Sequence, residues 1–117
     1  MTQKRILIAN RGEIALRIIR SAKEMDLCTI AVYSDADEDS LHTKRADESY
    51  YLGGSLPAES YRNLKKLVKA AEETNADLVH PGYGFLAENA DFAKAIEKKG
   101  ITWVGPKPET IKSMGDK

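Results

Sequence analysis

The sequence predicts an α/β fold: a doubly wound, mainly parallel sheet of about five strands with helices on both faces. Two observations predict it. Short apolar runs alternate with segments of helical period along the chain. The first run is continuously apolar behind its charged start, as a strand covered on both faces is.

Arg5-Ile6-Leu7-Ile8-Ala9 is the first strand, ending at Asn10-Arg11-Gly12. The period then changes. Ile14, Ile18, Ala22 and Met25 fall at helical spacing, widened by Ala15 and Ile19. Asp26 suits the end of this helix, because Asp tolerates left-handed backbone. Cys28 to Tyr33 is a second, β-branched strand, which completes a strand–helix–strand unit with a right-handed crossover. An acidic loop, Asp35 to Asp39, follows. Glu48 to Leu52 reads as a third strand before Gly53-Gly54. Tyr61, Leu64, Leu67, Val68 and Ala71 mark a second helix, and Leu78-Val79-His80 a fourth strand ending at Pro81-Gly82. Phe92, Ala93 and Ile96 give a third helix, with Asn89 as N-cap and Gly100 as C-cap. Thr102-Trp103-Val104 is the fifth strand. Pro108 suits the first turn of a last short helix closed by Gly115. The expected strand order is 3-2-1-4-5. Ligands of such sheets sit beyond the carboxyl ends of the strands where the order reverses. That brings the Asn10–Gly12 loop beside the loop from Pro81 to Phe85.

The 117 residues are 42% hydrophobic and 7% aromatic, enough for one core and too apolar for a disordered tail. Residues 1–117 are therefore expected to form a single domain. Lys plus Arg equals Asp plus Glu at 18 each, so the formal net charge is zero, which argues against nucleic-acid binding through a basic surface. One cysteine, Cys28, excludes an internal disulfide framework and a cysteine-rich zinc site. With no secretory signal and no membrane-length apolar run, a cytoplasmic location is expected and a membrane partner is not.

The first strand–helix turn has one glycine where a dinucleotide fingerprint needs three, so NAD or FAD binding in that mode is rejected. Arg11 either pairs an anion or makes a structural salt bridge, and the loop by itself favours the salt bridge. In His80-Pro81-Gly82-Tyr83-Gly84-Phe85 two glycines flank a tyrosine. A ligand-approaching loop and a packed, well-ordered loop explain it equally. His80 reads as a hydrogen-bonded structural residue and His42 as part of a polar loop. No histidine or cysteine has metal-ligand spacing, so no metal site is expected. Asp35, Asp37, Glu38 and Asp39 read as a solvated connection rather than a cation or ribose site. Arg17, Arg20 and Glu24 share one helix face, either a solvated, salt-bridged one or a subunit contact. Cys28 and Trp103 read as core.

Together these segments resemble the N-terminal domain of biotin carboxylase, the component that carboxylates biotin in acyl-CoA carboxylases and pyruvate carboxylase. The matching stretches are Ile8-Ala9-Asn10-Arg11-Gly12-Glu13-Ile14-Ala15, His80-Pro81-Gly82-Tyr83-Gly84-Phe85-Leu86, Glu88-Asn89-Ala90, Val104-Gly105-Pro106 and Met114-Gly115-Asp116-Lys117. They keep the family's order and span nearly all of the chain. Ala87 stands where the family usually has serine, and Asp26 where it commonly has glycine.

The resemblance implies a Rossmann-like layer preceding the lobes of an ATP-grasp ligase. It implies that ATP activates bicarbonate as carboxyphosphate, whose carbon dioxide passes to carrier-bound biotin. It implies that Tyr83 and Gly84 border the biotin and bicarbonate pocket, that Glu88 supports it, and that Lys117 contacts the nucleotide. Arg17, Arg20 and Glu24 match the family's dimer face, so a homodimer of the full-length protein is implied. Biotin carboxyl carrier and carboxyltransferase are the implied partners, and ATP, magnesium and biotin the cofactors of the full-length enzyme. The catalytic residues, including the magnesium-binding acids, would follow Lys117, so residues 1–117 are expected to be inactive alone. The alternatives are the corresponding domain of another ATP-grasp ligase, such as carbamoyl-phosphate synthetase, or a stand-alone flavodoxin-like binding module.

Overall fold

The computed structural model describes residues 3–83 and 85–105, leaving aside the side chains of Phe85 and Glu88. Strands β1 (Arg5–Ile8), β2 (Cys28–Ser34), β3 (Glu48–Gly53), β4 (Leu78–His80) and β5 (Thr102–Trp103) form one sheet. Every pairing is parallel and the order is β3-β2-β1-β4-β5, the order expected for a doubly wound sheet. The helices are α1 (Gly12–Glu24), α2 (Leu41–Arg45), α3 (Leu64–Glu73) and α4 (Ala90–Lys98). Short 3₁₀ turns at Asp35–Asp37, Pro57–Glu59 and Phe85–Glu88 punctuate the loops.

The period-two geometry of β1 divides the core in two. Leu7 and Ala9 join Ile30, Val32 and Val79 beneath α3 and α4, whose Leu67, Ala70, Ala71, Phe92, Ala93 and Ile96 are all buried. Trp103 packs edge-on against Phe92, centroids 5.3 Å apart. On the opposite face, Ile6, Ile8 and Ala31 meet Ala15, Ile19 and Ala22 of α1. Each fully buried Leu or Ile of this set contributes about 1.5–3 kcal/mol.

The helix ends follow local chemistry. Asp26 takes left-handed backbone at φ 61° just past α1, and the Leu27 N–H closes back on Ala22 O at 3.0 Å. Asn89 caps α4 by accepting from the Phe92 N–H at 2.9 Å, and Gly100 follows the helix at φ 77°.

Several expectations are corrected. Tyr61 is not part of a helix: Asn63 accepts from the Lys66 N–H at 3.1 Å and so starts α3 at Leu64. Tyr61 lies in the preceding turn and is buried there. His42 belongs to α2 and is buried, with its Nε2 3.0 Å from Val32 O, rather than sitting in a polar loop. Met25 is exposed although it continues the apolar stripe of α1, because the chain turns away after Glu24. Cys28 is half-buried, its Sγ 3.6 Å from a guanidinium nitrogen of Arg5. The expected last helix from Pro108 lies outside the described residues.

Candidate functional site

The site is built where β1 and β4 end side by side. The Ala9 N–H donates to His80 O at 2.9 Å, continuing the parallel ladder one step past the strands. The next residue, Asn10, is 1% exposed. Its Nδ2 donates to Pro81 O at 2.8 Å and to Tyr83 O at 2.7 Å, and its Oδ1 accepts from the Arg11 N–H at 2.8 Å. One carboxamide thus binds the two loops that topology brings together.

Gly82 completes the junction. It stands at φ 69°, and a Cβ there would lie 2.7 Å from Asn10 Nδ2 and 2.9 Å from a methyl of Ile14. Both the backbone angle and the close approach demand glycine. The Gly82 N–H donates to His80 Nδ1 at 3.1 Å, so His80 has the structural role expected of it. Burial pushes the His80 pKa down, which favours the neutral ring that this acceptor role needs. Tyr83, next in the chain, is 76% exposed. The turn through Pro81, Gly82 and Tyr83 is therefore held by its own backbone groups, as a packed loop is, with the Tyr83 side chain facing outward.

Arg11 is committed elsewhere. Its Nε and Nη2 each donate to a carboxylate oxygen of Asp37 at 2.6 Å. The Tyr61 hydroxyl donates to the same carboxylate at 2.7 Å. The backbone carbonyl of Asp37 accepts from the Ser40 N–H and the Thr43 hydroxyl, each at 3.0 Å. Asp37 is 3% exposed, so its place in an acidic run misled: its neighbours Asp35, Glu38 and Asp39 face solvent, and it alone turns inward. The Arg11 hydrogen bonds hold its carboxyl below the usual carboxylate range, against the opposing effect of burial and with help from Tyr61. The Tyr61 hydroxyl is pushed well up, by burial first and then by Asp37. This clamp ties the β1 loop to the β2 loop, and it takes the Arg11 guanidinium out of contention for a phosphate.

An open groove of about 510 Å³ runs from this edge along α1, between Ile14, Ile18 and Leu78, with Glu13, Arg17 and Tyr83 on its rim. Arg17, Arg20 and Glu24 are all exposed. The salt bridges expected along this face are not formed: among the described residues no ion pair engages any of the three. Arg17 borders the large groove, whereas Arg20 turns towards α2 and a smaller hollow of about 220 Å³ lined by Lys23, Leu41 and Arg45. Gly84, Lys117 and the Glu88 side chain lie outside the described residues. Among those described, no group of three or more His, Cys, Asp or Glu side chains is placed to hold a metal ion, and no helix is long and apolar enough to cross a membrane.

A doubly wound α/β domain whose two reversal-point loops are joined at the carboxyl edge belongs to a class that binds ligands at that edge. The particular family follows from comparison with known proteins. A profile of the family described as "Biotin carboxylase, N-terminal domain" matches residues 2–111, and the chain belongs to that family. It is 53% identical to the biotin carboxylase of Allochromatium vinosum over 97% of this chain and 25% of that protein. It is 46% identical to human mitochondrial pyruvate carboxylase over 97% of this chain and 10% of that protein. Among solved structures, the biotin carboxylase domain of a thermophilic 2-oxoglutarate carboxylase bound to bicarbonate superimposes with a TM-score of 0.92. That match has 48% identity and covers 97% of this chain and 26% of that one. The chain thus spans between 10% and 26% of the length of these relatives.

Proposed function

We propose that this domain is the N-terminal part of an ATP-dependent biotin carboxylase, a ligase that carboxylates carrier-bound biotin with bicarbonate. The observation that carries the reading is the Asn10 junction. It sets Gly82 and Tyr83 at the carboxyl edge of the sheet, in a domain whose relatives are named for this reaction. In this reading Tyr83 and Gly84 border the biotin and bicarbonate pocket and Glu88 supports it. The exposed Tyr83 ring fits that role, because it offers a ligand an aromatic face without rearrangement.

ATP and magnesium fit these residues less fully. Arg11 is occupied by Asp37, so within this chain the nucleotide contact rests on Lys117, whose ammonium would offset phosphate charge. The lobes that follow in the longer protein would supply the remaining ligands and the catalytic groups. Arg17, Arg20 and Glu24 would face a second subunit in a homodimer, with carrier and carboxyltransferase as partners, working in the cytoplasm.

The test is to incubate the longer protein carrying this domain with labelled bicarbonate, Mg-ATP and free biotin. The expected result is acid-labile label on biotin and phosphate release that depends on biotin. The 117-residue chain alone should do neither. Phosphate release indifferent to biotin would point to another ATP-grasp ligase. No ATP hydrolysis at all would overturn the ligase reading in favour of a binding module.

A further inference from the structure

We infer that Asn10 is the positioning residue of the candidate pocket: by donating to both Pro81 O and Tyr83 O, its carboxamide fixes the turn that presents Tyr83 to the substrate. The identity of that substrate rests on the carboxylase reading, while the positioning role rests on the geometry alone. Three polar groups of the turn are bonded to residues at the ends of β1 and β4. Pro81 O and Tyr83 O accept from Asn10, and the Gly82 N–H donates to His80.

The chemistry selects asparagine. Two donors and one acceptor are needed at a buried position. Only a carboxamide of this reach supplies them, since a carboxylate would turn lone pairs towards two carbonyl oxygens. Gly82 packs so closely that a Cβ there would lie 2.7 Å from Asn10 Nδ2, and the Asn10 acceptor is used by the Arg11 N–H. Arg11 is in turn held by Asp37. The carboxamide is thus fixed from its own loop and grips the neighbouring one. A pocket wall fixed before substrate arrives spends no binding energy on ordering itself.

The experiment has two arms. In the 117-residue chain, NMR would read the carbonyl carbon resonances of Pro81 and Tyr83 and the exchange rate of the Gly82 amide. Through-hydrogen-bond couplings from Asn10 Nδ2 to both carbonyls are expected in the unmutated chain. Asn10→Asp, which keeps the shape and loses both donors, should abolish the couplings, shift both resonances and speed Gly82 exchange. Gly82→Ala, which pushes on the carboxamide from the other side, should shift the same resonances. In the longer carboxylase, Asn10→Asp should raise KM for bicarbonate about tenfold or more, with KM for ATP little changed.

Missing couplings in the unmutated chain, or Pro81 and Tyr83 resonances indifferent to Asn10→Asp, would overturn the proposal. So would equal rises in KM for ATP and bicarbonate. An unmutated longer protein that ignores bicarbonate would instead overturn the carboxylase reading, and the NMR arm would still judge Asn10.

Discussion

Asp37 illustrates how one residue of an acidic run acquires a separate role. Three donors converge on its carboxylate, two from the Arg11 guanidinium and one from Tyr61, and burial removes competing water. Its folded pKa is lowered, with the Arg11 hydrogen bonds as the largest cause. The stability it contributes is therefore complete above the unfolded value of about 3.9 and is lost as pH falls through the lower folded value. Asp37→Asn should cost about 1–3 kcal/mol at pH 7. That is less than the penalty for breaking a fully buried pair, because the Arg11 side chain is about half exposed and partly screened. Urea unfolding at several pH values checks both parts: the gap from the unmutated chain should narrow below about pH 4. A gap independent of pH would mean that the charge of Asp37 is not what stabilises the clamp. His42 and His80 are shifted down by burial as well, so the fold should also lose stability as pH falls below about 6.5.

At the scale of elements, the helix caps make the simplest test. Asn89→Ala removes the acceptor of the Phe92 N–H and should cost about 1 kcal/mol. A fall in Tm of about 4 °C by calorimetry would agree with that, and an unchanged Tm would show that the α4 start is held by its packing instead. The elements were legible to different degrees for physical reasons. The central strands of a parallel sheet are buried on both faces, so Ile6-Leu7-Ile8 and Thr29-Ile30-Ala31-Val32 stand out as apolar runs, and their order is the one expected of a doubly wound sheet. α2 is five residues long, too short for a helical period to emerge. Tyr61 continues the spacing of α3 on paper, yet the cap at Asn63 interrupts it. The meeting of the two site loops was readable from topology. The Asn10 bonds that lock them were not, because a carboxamide gives no periodic signal and its partners are more than 70 residues away. Asp37 was hidden for a similar reason, since its partners Arg11 and Tyr61 are distant in sequence.

Across the whole molecule, α1 has two unlike sides. Its inner side builds the core with Ile19 and Ala22, and its outer side leaves Arg17, Arg20 and Glu24 exposed, with no ion pair to hold them among the described residues. Exposed charges contribute roughly 0–1 kcal/mol to a monomer, so their substitution is nearly free in the isolated domain. Arg20→Glu should therefore leave the thermal unfolding of the 117-residue chain unchanged, and in the homodimer proposed for the longer protein it should weaken dimerisation. Sedimentation that finds the same dimer constant would remove α1 from the interface.

In the proposed reading the turn joined to Asn10 forms a wall of the bicarbonate and biotin pocket. Steady-state kinetics of Tyr83→Ala in the longer carboxylase test it most directly, with ATP, bicarbonate and biotin varied in turn. Tyr83 is largely exposed, so its truncation should spare the fold. The account predicts a loss of about tenfold or more, roughly 1.4 kcal/mol, in kcat/KM for bicarbonate or biotin, with the ATP value nearly unchanged. Kinetic constants that are all unaltered, or all lowered alike, would contradict it.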